Sequence, residues 1–217
     1  MRKPTLDVGK LQMEARRFAD LESSHDEPSL FGVTDGKAVG TYLELKFREY
    51  LCHRYSFAQG NAASGIDFPD IEVDLKVTSI KQPQSSCPFR SARQKVFGLG
   101  YGLLVLVYAK VDNPRSQTAR LSIEHVVYID SSATGDYTLT KRLREMVADQ
   151  ANEEDIAAFL HDRNLPADDI EIARIAAAVL STPPQQGFLT ISNALQWRLQ
   201  YGHAVRDAGT VPNVRRL

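Results

Sequence analysis

The sequence predicts an α/β fold, with a core in residues 1–135 followed by a helical region in residues 136–217 that packs on it as one domain. Ile71–Ser79 alternates strictly between apolar and polar residues, which is typical of a half-buried strand. Leu103–Tyr108 is a continuous apolar run, which indicates a strand buried on both faces. The region after residue 136 instead shows helical periodicity punctuated by proline and glycine, so the two parts differ in secondary structure.

Two helices are predicted before the first strand. Leu11–Phe18 lies in the first helix, and Pro28 and Gly32 end it. The second helix begins after Thr34 or Asp35, since both residue types are common N-caps. Apolar residues then recur at helical spacing, at Val39, Leu43, Phe47 and Tyr50.

The remaining elements follow from runs and punctuation. Residues 56–66 are small and polar and predict a loop, and Ser91–Phe97 predicts a short helix. Leu121–Ile129 predicts another strand. Four further helices are predicted, at 138–149, 153–163, 168–181 and 192–200.

Composition narrows the class of protein. The chain of 217 residues is 43% hydrophobic and 24% charged, as in ordinary globular domains. No apolar run reaches about 18 residues, so no transmembrane helix is expected. The two cysteines, Cys52 and Cys87, form no metal-binding or disulfide pattern, and a cytoplasmic location is therefore expected.

The net charge of −1 does not indicate a nucleic-acid-binding protein, but the local distribution of charge is uneven. No acidic residue occurs between Asp74 and Asp112, whereas eight lie between Asp149 and Glu171. A protein that is neutral overall can still bind a polyanion through one basic face. The alternative is that each charged run is simply a solvated surface.

The segment Gly65–Ser79 contains the residues best suited to catalysis. If Asp70 and Ile71 are the central residues of a tight hairpin turn, Asp67 lies directly opposite Asp74. Opposed residues project from one face with Cβ atoms about 4.5–5.5 Å apart. Lys76 is two residues beyond Asp74 and shares that face, so two carboxylates and an ammonium converge.

Such a cluster suits hydrolysis of a phosphodiester. Two close carboxylates repel each other, and Mg²⁺, which prefers a few carboxylates together with water and phosphate oxygens, relieves that repulsion. The lysine can orient or deprotonate the attacking water, and the metal stabilises the charge that develops on phosphorus. The alternative is an exposed amphipathic strand whose charges are incidental.

The pattern acid-x-Lys occurs three times in the chain, and only one copy is suitably placed. Asp35-Gly36-Lys37 resembles a turn. Glu44-Leu45-Lys46 lies on a predicted helix, where residues two apart point about 200° from each other. Asp74-Leu75-Lys76 is the copy on a strand with an acid opposite it.

These residues resemble the PD-(D/E)XK nuclease superfamily. An Asp-Phe-Pro hairpin begins at Asp67, and the spacing from Asp67 through Asp74 to Lys76 is similar to that of MutH-like nicking endonucleases and related type II restriction endonucleases. In those proteins a Gly-x-x-Leu-Glu helix precedes the hairpin, and Gly40–Glu44 matches that pattern. The resemblance covers roughly residues 37–79 and implies a central mixed sheet flanked by helices.

The resemblance also implies roles for individual residues. Asp67, Asp74 and the Leu75 carbonyl would be metal ligands, Lys76 the catalytic lysine, and Glu44 a supporting acid near the metal or its water. The sequence departs from the family pattern in having Asp rather than Glu before x-Lys. Pro69-Asp70 is a literal Pro-Asp, but only three residues separate Asp70 from Asp74, and we interpret Asp70 as a turn residue.

Two segments are candidates for contacting DNA. The first directly follows the catalytic strand and is basic and rich in amides: Lys81, Gln82, Gln84, Arg90, Arg93. Lys95 is a candidate for a further lysine that the family carries before a strand, with a solvated helix residue as the alternative. The second segment is the predicted helix 192–200, in which Gln196 and Arg198 could contact base edges.

The sequence therefore predicts a Mg²⁺-dependent type II restriction endonuclease that cuts double-stranded DNA. A homodimer is expected, because cutting both strands of a palindrome needs two active sites. One alternative is a MutH-like nicking endonuclease of mismatch repair. The other is a DNA-binding regulator without catalytic activity, in which the hairpin is only a scaffold.

Overall fold

The computed structural model describes residues 3–58, 60, 65–87, 90–193 and 197–217. The helices are α1 (Val8–Ser23), α2 (Gly36–Cys52), α3 (Arg93–Phe97), α4 (Tyr137–Ala148), α5 (Glu153–Asp162), α6 (Asp169–Ser181) and α7 (Gly202–Asp207). The strands are β1 (Asp26–Glu27), β2 (Val73–Ser79), β3 (Gln84–Cys87), β4 (Gly102–Asn113), β5 (Thr118–Ile129), β6 (Thr190–Ile191), β7 (Trp197–Gln200) and β8 (Val214–Arg216).

A mixed sheet forms the centre of the fold. Its strand order is β1-β5-β4-β2, and β8 also pairs with β5. The pairing of β2 with β4 is parallel, whereas β4 with β5 and β5 with β1 and β8 are antiparallel. The predicted α/β fold with a mixed sheet flanked by helices is confirmed, and β2, which carries the acid-x-Lys sequence, ends the strand order.

Helices α1 and α2 cover one face of this sheet. Leu11 and Phe18 of α1 and Leu43 and Phe47 of α2 form one core with Leu75 of β2. Asp35 caps α2 by accepting a hydrogen bond from the Lys37 backbone nitrogen, as expected of a helix that begins after it. No helix in the described ranges is long and apolar enough to cross a membrane.

A second, three-stranded sheet packs on the opposite face, with strand order β3-β7-β6. Leu199 and Tyr201 are fully buried there beside Leu103 and Val105 of the doubly buried strand β4. This layer also covers the polar side of β2, where Asp74 and Thr78 are only 4% and 5% exposed. The expectation of a half-buried strand at Ile71–Ser79 is therefore wrong, because both faces of β2 are packed.

The region after residue 136 is helical only in part. Helices α4, α5 and α6 occur where helices were predicted, and they pack with α3 around a third core. The predicted helix at 192–200 is wrong, since residues 197–200 form β7 and pair with β3 and β6. Arg198 to Tyr201 alternates exposed and buried residues, so a strand buries both apolar side chains on one face.

Candidate active site

The hairpin before β2 brings two aspartates together. Phe68 and Val73 exchange both backbone hydrogen bonds, at 3.0 and 3.2 Å, so Asp67 and Asp74 are the next opposed pair. The predicted register is therefore confirmed, although the connection differs. Residues Pro69–Ile71 form a turn of 3₁₀ helix and Glu72 is left-handed, with φ of 52°, in place of a two-residue turn.

Asp70 points away from this pair. It is exposed, and its Oδ2 accepts a hydrogen bond of 2.7 Å from the Ala58 backbone nitrogen. It thus ties the turn to the preceding loop, as expected of a turn residue.

Asp74 is a buried acid held by a lysine. Its Oδ2 lies 2.7 Å from Lys76 Nζ. Burial raises the pKa of Asp74 to about 7; Lys76 opposes this shift, and a side-chain hydrogen bond with Asp67 adds to it. The pKa of Lys76 is raised because the Asp74 carboxylate outweighs burial, which acts to lower it. The two charges therefore stabilise each other.

Asp67 is held by an arginine that the sequence analysis did not identify. Arg48 Nη2 lies 2.5 Å from Asp67 Oδ1, and the Leu75 backbone nitrogen donates to Asp67 Oδ2 at 3.1 Å. Arg48 follows Glu44 by four residues on α2, so the two share one face of the helix. The spacing indicates that Arg48 lies beside Glu44, but it does not indicate which face of α2 contacts the hairpin.

Glu44 faces the same cluster. Burial raises the pKa of its carboxyl, the Asp67 carboxylate raises it further, and Lys76 and Arg48 act to lower it. The helix reaches this position because Leu43 and Phe47, on its adjoining face, are fully buried against the sheet.

These groups line an open cleft of about 310 Å³ at the edge of β2, which we call the carboxylate cleft: Glu44, Arg48, Gly60, Gly65, Ile66, Asp67, Asp74, Leu75, Lys76. Within the described ranges, no three His, Cys, Asp or Glu side chains are grouped closely enough to hold a metal ion. Asp67 and Asp74 are nevertheless a donor pair that suits Mg²⁺, because that ion is usually bound by one or two carboxylates and keeps several waters.

Comparison with known proteins identifies the family. The family model described as "Type II restriction enzyme NspV" matches residues 5–216. The chain belongs to the NspV family of type II restriction enzymes. A relative from Nostoc sp. (strain ATCC 29411 / PCC 7524), named type II restriction enzyme NspV, is 58% identical over 204 residues, which cover 94% of this chain and 93% of the relative. No solved structure matches the chain.

Membership of the NspV family confirms the prediction of a type II restriction endonuclease. The match extends over almost the whole chain, whereas the motif resemblance covered roughly residues 37–79. Restriction enzymes act on DNA, so the basic and amide-rich segments of this chain are the candidates for contacting it.

The candidate DNA-contacting residues of this NspV-family chain fall in different places. Lys81 and Gln82 are exposed in the turn after β2, and Arg93 is exposed at the start of α3. Arg90 is beside the carboxylate cleft, since a Cβ placed on Gly65 would lie 3.1 Å from Arg90 Nη2. Gln84 and Arg198 lie in the three-stranded sheet, and Gln196 falls outside the described residues.

Lys95 lies apart from the carboxylate cleft. It is only 6% exposed, so the alternative of a solvated helix residue is wrong. Its amine contacts Asn193 Oδ1, and burial lowers its pKa, with Asp136 opposing that shift. Lys95 lines a separate cleft with Asp136 and Asn193, between α4 and the end of β6.

Proposed function

We propose that this NspV-family chain hydrolyses phosphodiester bonds of double-stranded DNA at a specific sequence, and that the carboxylate cleft is its active site. The observation that carries the assignment is the opposition of Asp67 and Asp74, with Lys76 Nζ 2.7 Å from Asp74. Two carboxylates and an ammonium at an open sheet edge are the groups that hydrolysis of a phosphodiester needs. Family membership supports the same reaction class.

Mg²⁺ is the cofactor we propose for this cleft. Asp67, Asp74 and the Leu75 carbonyl would hold it, with Glu44 as a supporting acid for the metal or its water. When bound, the ion would supply positive charge to the phosphate as negative charge develops there. The donor set consists of oxygen atoms alone, as a hard divalent cation prefers.

The protein side chains position the reactants. Lys76 is fixed by its contact with Asp74, and its amine would hold the attacking water by a hydrogen bond. Arg48 fixes the orientation of the Asp67 carboxylate through a contact of 2.5 Å. Arg90, beside Gly65, would contact a phosphate of the bound strand.

We further propose that the chain shares the PD-(D/E)XK nuclease architecture and acts as a homodimer. A mixed sheet, an edge strand with acid-x-Lys and a preceding helix with Glu44 support the first point. The homodimer is proposed because cleavage of both strands of a palindromic site requires two carboxylate clefts.

The test is incubation of the purified chain with supercoiled plasmid and Mg²⁺, followed by sequencing of the DNA ends. Linear products with ends at one short sequence are expected, and chelation of the metal should prevent them. Nicked circles alone would indicate a nicking endonuclease instead. An intact plasmid that the chain nevertheless binds would indicate a DNA-binding regulator.

A further inference from the structure

The outward face of the three-stranded sheet has an unusual composition. Gln84 pairs with Gln200, which also pairs with Thr190, and Ser86 pairs with Arg198. Paired residues share a face of a sheet, and residues two apart along a strand share it as well. Of these five, Gln84 is half-buried and the others are exposed. We call this set the polar sheet face.

The two chain segments that build this sheet contain no acidic residue. None occurs between Asp74 and Asp112, which bracket β3, or between Glu171 and Asp207, which bracket β6 and β7. The chain has 27 acidic residues in 217, so their absence from both segments is not a general property of the protein. An ordinary solvated sheet face mixes acidic and basic side chains, whereas this one offers amides, hydroxyls and one guanidinium.

That chemistry matches the edges of DNA bases. Glutamine can bind adenine through N6 and N7, arginine can bind guanine through O6 and N7, and serine or threonine can bind either. The major groove admits a two-stranded β-ribbon. The Gln84–Gln200 row and the Ser86–Arg198 row are about 7 Å apart along the strands, which equals about two base-pair steps of 3.4 Å.

A backbone-to-side-chain hydrogen bond connects the polar sheet face to β2, the strand that carries Asp74. Thr78 Oγ1 of β2 accepts a hydrogen bond of 2.9 Å from the Gln84 backbone nitrogen. On the inward side of the sheet, the hydroxyls of Ser85 and the fully buried Tyr201 lie 2.5 Å apart. Tyr201 packs in one core with Leu103 of β4, and Leu103 is the pairing partner of Asp74 on β2. Groups bound on this sheet are therefore held at a fixed position relative to Asp74.

We propose that the polar sheet face contacts base edges in the major groove and supplies part of the sequence specificity, with Gln200 and Arg198 as specificity-determining residues beside Gln84. The proposal rests on the proposed function, because it assigns recognition to the enzyme whose chemistry lies in the carboxylate cleft. It also unites two segments that were competing candidates in the sequence, since β3 and β7 are neighbouring strands.

The experiment first uses the wild-type protein, Mg²⁺ and end sequencing to define the cleavage site. The kcat/KM is then measured on that site and on duplexes carrying each single base-pair substitution. The variants are Gln200→Ala and Arg198→Lys, since lysine keeps the charge but cannot form the paired hydrogen bonds of arginine. Matched controls are Gln185→Ala and Arg174→Lys, which alter exposed side chains outside the sheet.

Each variant should lose discrimination by at least about fivefold at one base pair of each half-site, while the other positions and both controls remain unchanged. Arg198→Lys should keep the wild-type salt dependence of non-specific binding, because lysine keeps the positive charge. Thermal unfolding checks that the sheet is intact. If Gln200→Ala unfolds, Gln200→Asn replaces it, because asparagine keeps the amide on a shorter side chain.

Two failures are distinguishable. If the wild-type protein cuts no DNA, the proposed function fails and this inference fails with it. If the wild-type protein cuts at a defined site but both variants discriminate as it does at every position, the proposed function stands and the polar sheet face is not a recognition surface. A uniform loss of rate at all sequences would equally overturn the inference.

Discussion

The carboxylate cleft and the polar sheet face lie on neighbouring elements but are built in opposite ways. In the cleft, charged groups are partly withdrawn from water and paired, as Asp74 is with Lys76 and Asp67 with Arg48. On the sheet face, the exposed side chains are mostly neutral, and the one charged group, Arg198, is exposed to solvent. Burial shifts the pKa of Asp74 in the cleft, whereas the exposed side chains of the sheet face remain free to change conformation.

This contrast separates chemistry from recognition. A catalytic group must hold one position, and packing together with ion pairs fixes it. A recognition group must exchange water for base edges, which costs least for exposed neutral amides and hydroxyls. Changes in the carboxylate cleft are therefore expected to reduce the rate on every sequence, whereas changes on the sheet face should alter the choice of sequence.

The largest effect is expected from Asp67→Ala or Asp74→Ala. Loss of either carboxylate would remove a proposed metal ligand, and cleavage should fall on the order of 10³-fold or more. Single-turnover cleavage gives the rate, and gel shift should show that binding to the cognate site survives. Asp70→Ala is the control, because that exposed carboxylate contacts Ala58 and not the cleft. Near-wild-type cleavage by either variant would place the active site elsewhere.

Arg48→Ala should have the next largest effect. The Asp67 carboxylate would lose the cation that orients it, and the rate should fall by about 10- to 100-fold, as for supporting residues of metal ligands. The Mg²⁺ concentration needed for half the maximal rate should rise as well, because Arg48 no longer holds the Asp67 carboxylate in the orientation in which it would bind the metal.

Arg48→Lys should recover part of the rate, and Arg16→Ala, an exposed arginine on α1, should change nothing. A lower rate with an unaltered Mg²⁺ requirement would contradict the pairing of Arg48 with Asp67 as a positioning contact.

Glu44→Gln tests the supporting acid. Removing its charge from beside Asp67 should reduce cleavage by about tenfold. Glu49→Gln is the matched control, since Glu49 is exposed and lies about 140° around the same helix. Equal activity of the two variants under saturating Mg²⁺ would exclude Glu44 from the site.

The smallest effect is expected from Lys81→Ala. Lys81 is an exposed cation in the turn after β2, and a phosphate contact there carries no sequence information. Binding should weaken by a similar factor on every duplex, and the slope of log K against log salt should decrease by about 1. Lys141→Ala on α4 is the control. A change in preference at one base pair would show instead that Lys81 contacts a base.

Different parts of the site were predictable to different degrees. The opposition of Asp67 and Asp74 was predicted although the turn is longer than expected. The predicted and the observed turn are both centred between Asp70 and Ile71, so the register is the same. The role of Arg48 was missed, because its contact with Asp67 depends on how α2 packs against the hairpin. The helix predicted at 192–200 was wrong, although Arg198–Tyr201 alternates with the period of a strand.

Local sequence patterns thus determined the elements α1, α2, β2, β4 and β5, and the alternation in β2 determined the shared face of Asp74 and Lys76. Period two and period 3.6 are properties of neighbouring residues, so a single sequence contains them. Only the tertiary structure decided the pairing of residues 84–87 with 197–200 and the burial of Asp74 beneath that sheet. Strands separated by more than 100 residues pair because their backbone groups and apolar faces need partners, and no local pattern specifies which partner is chosen.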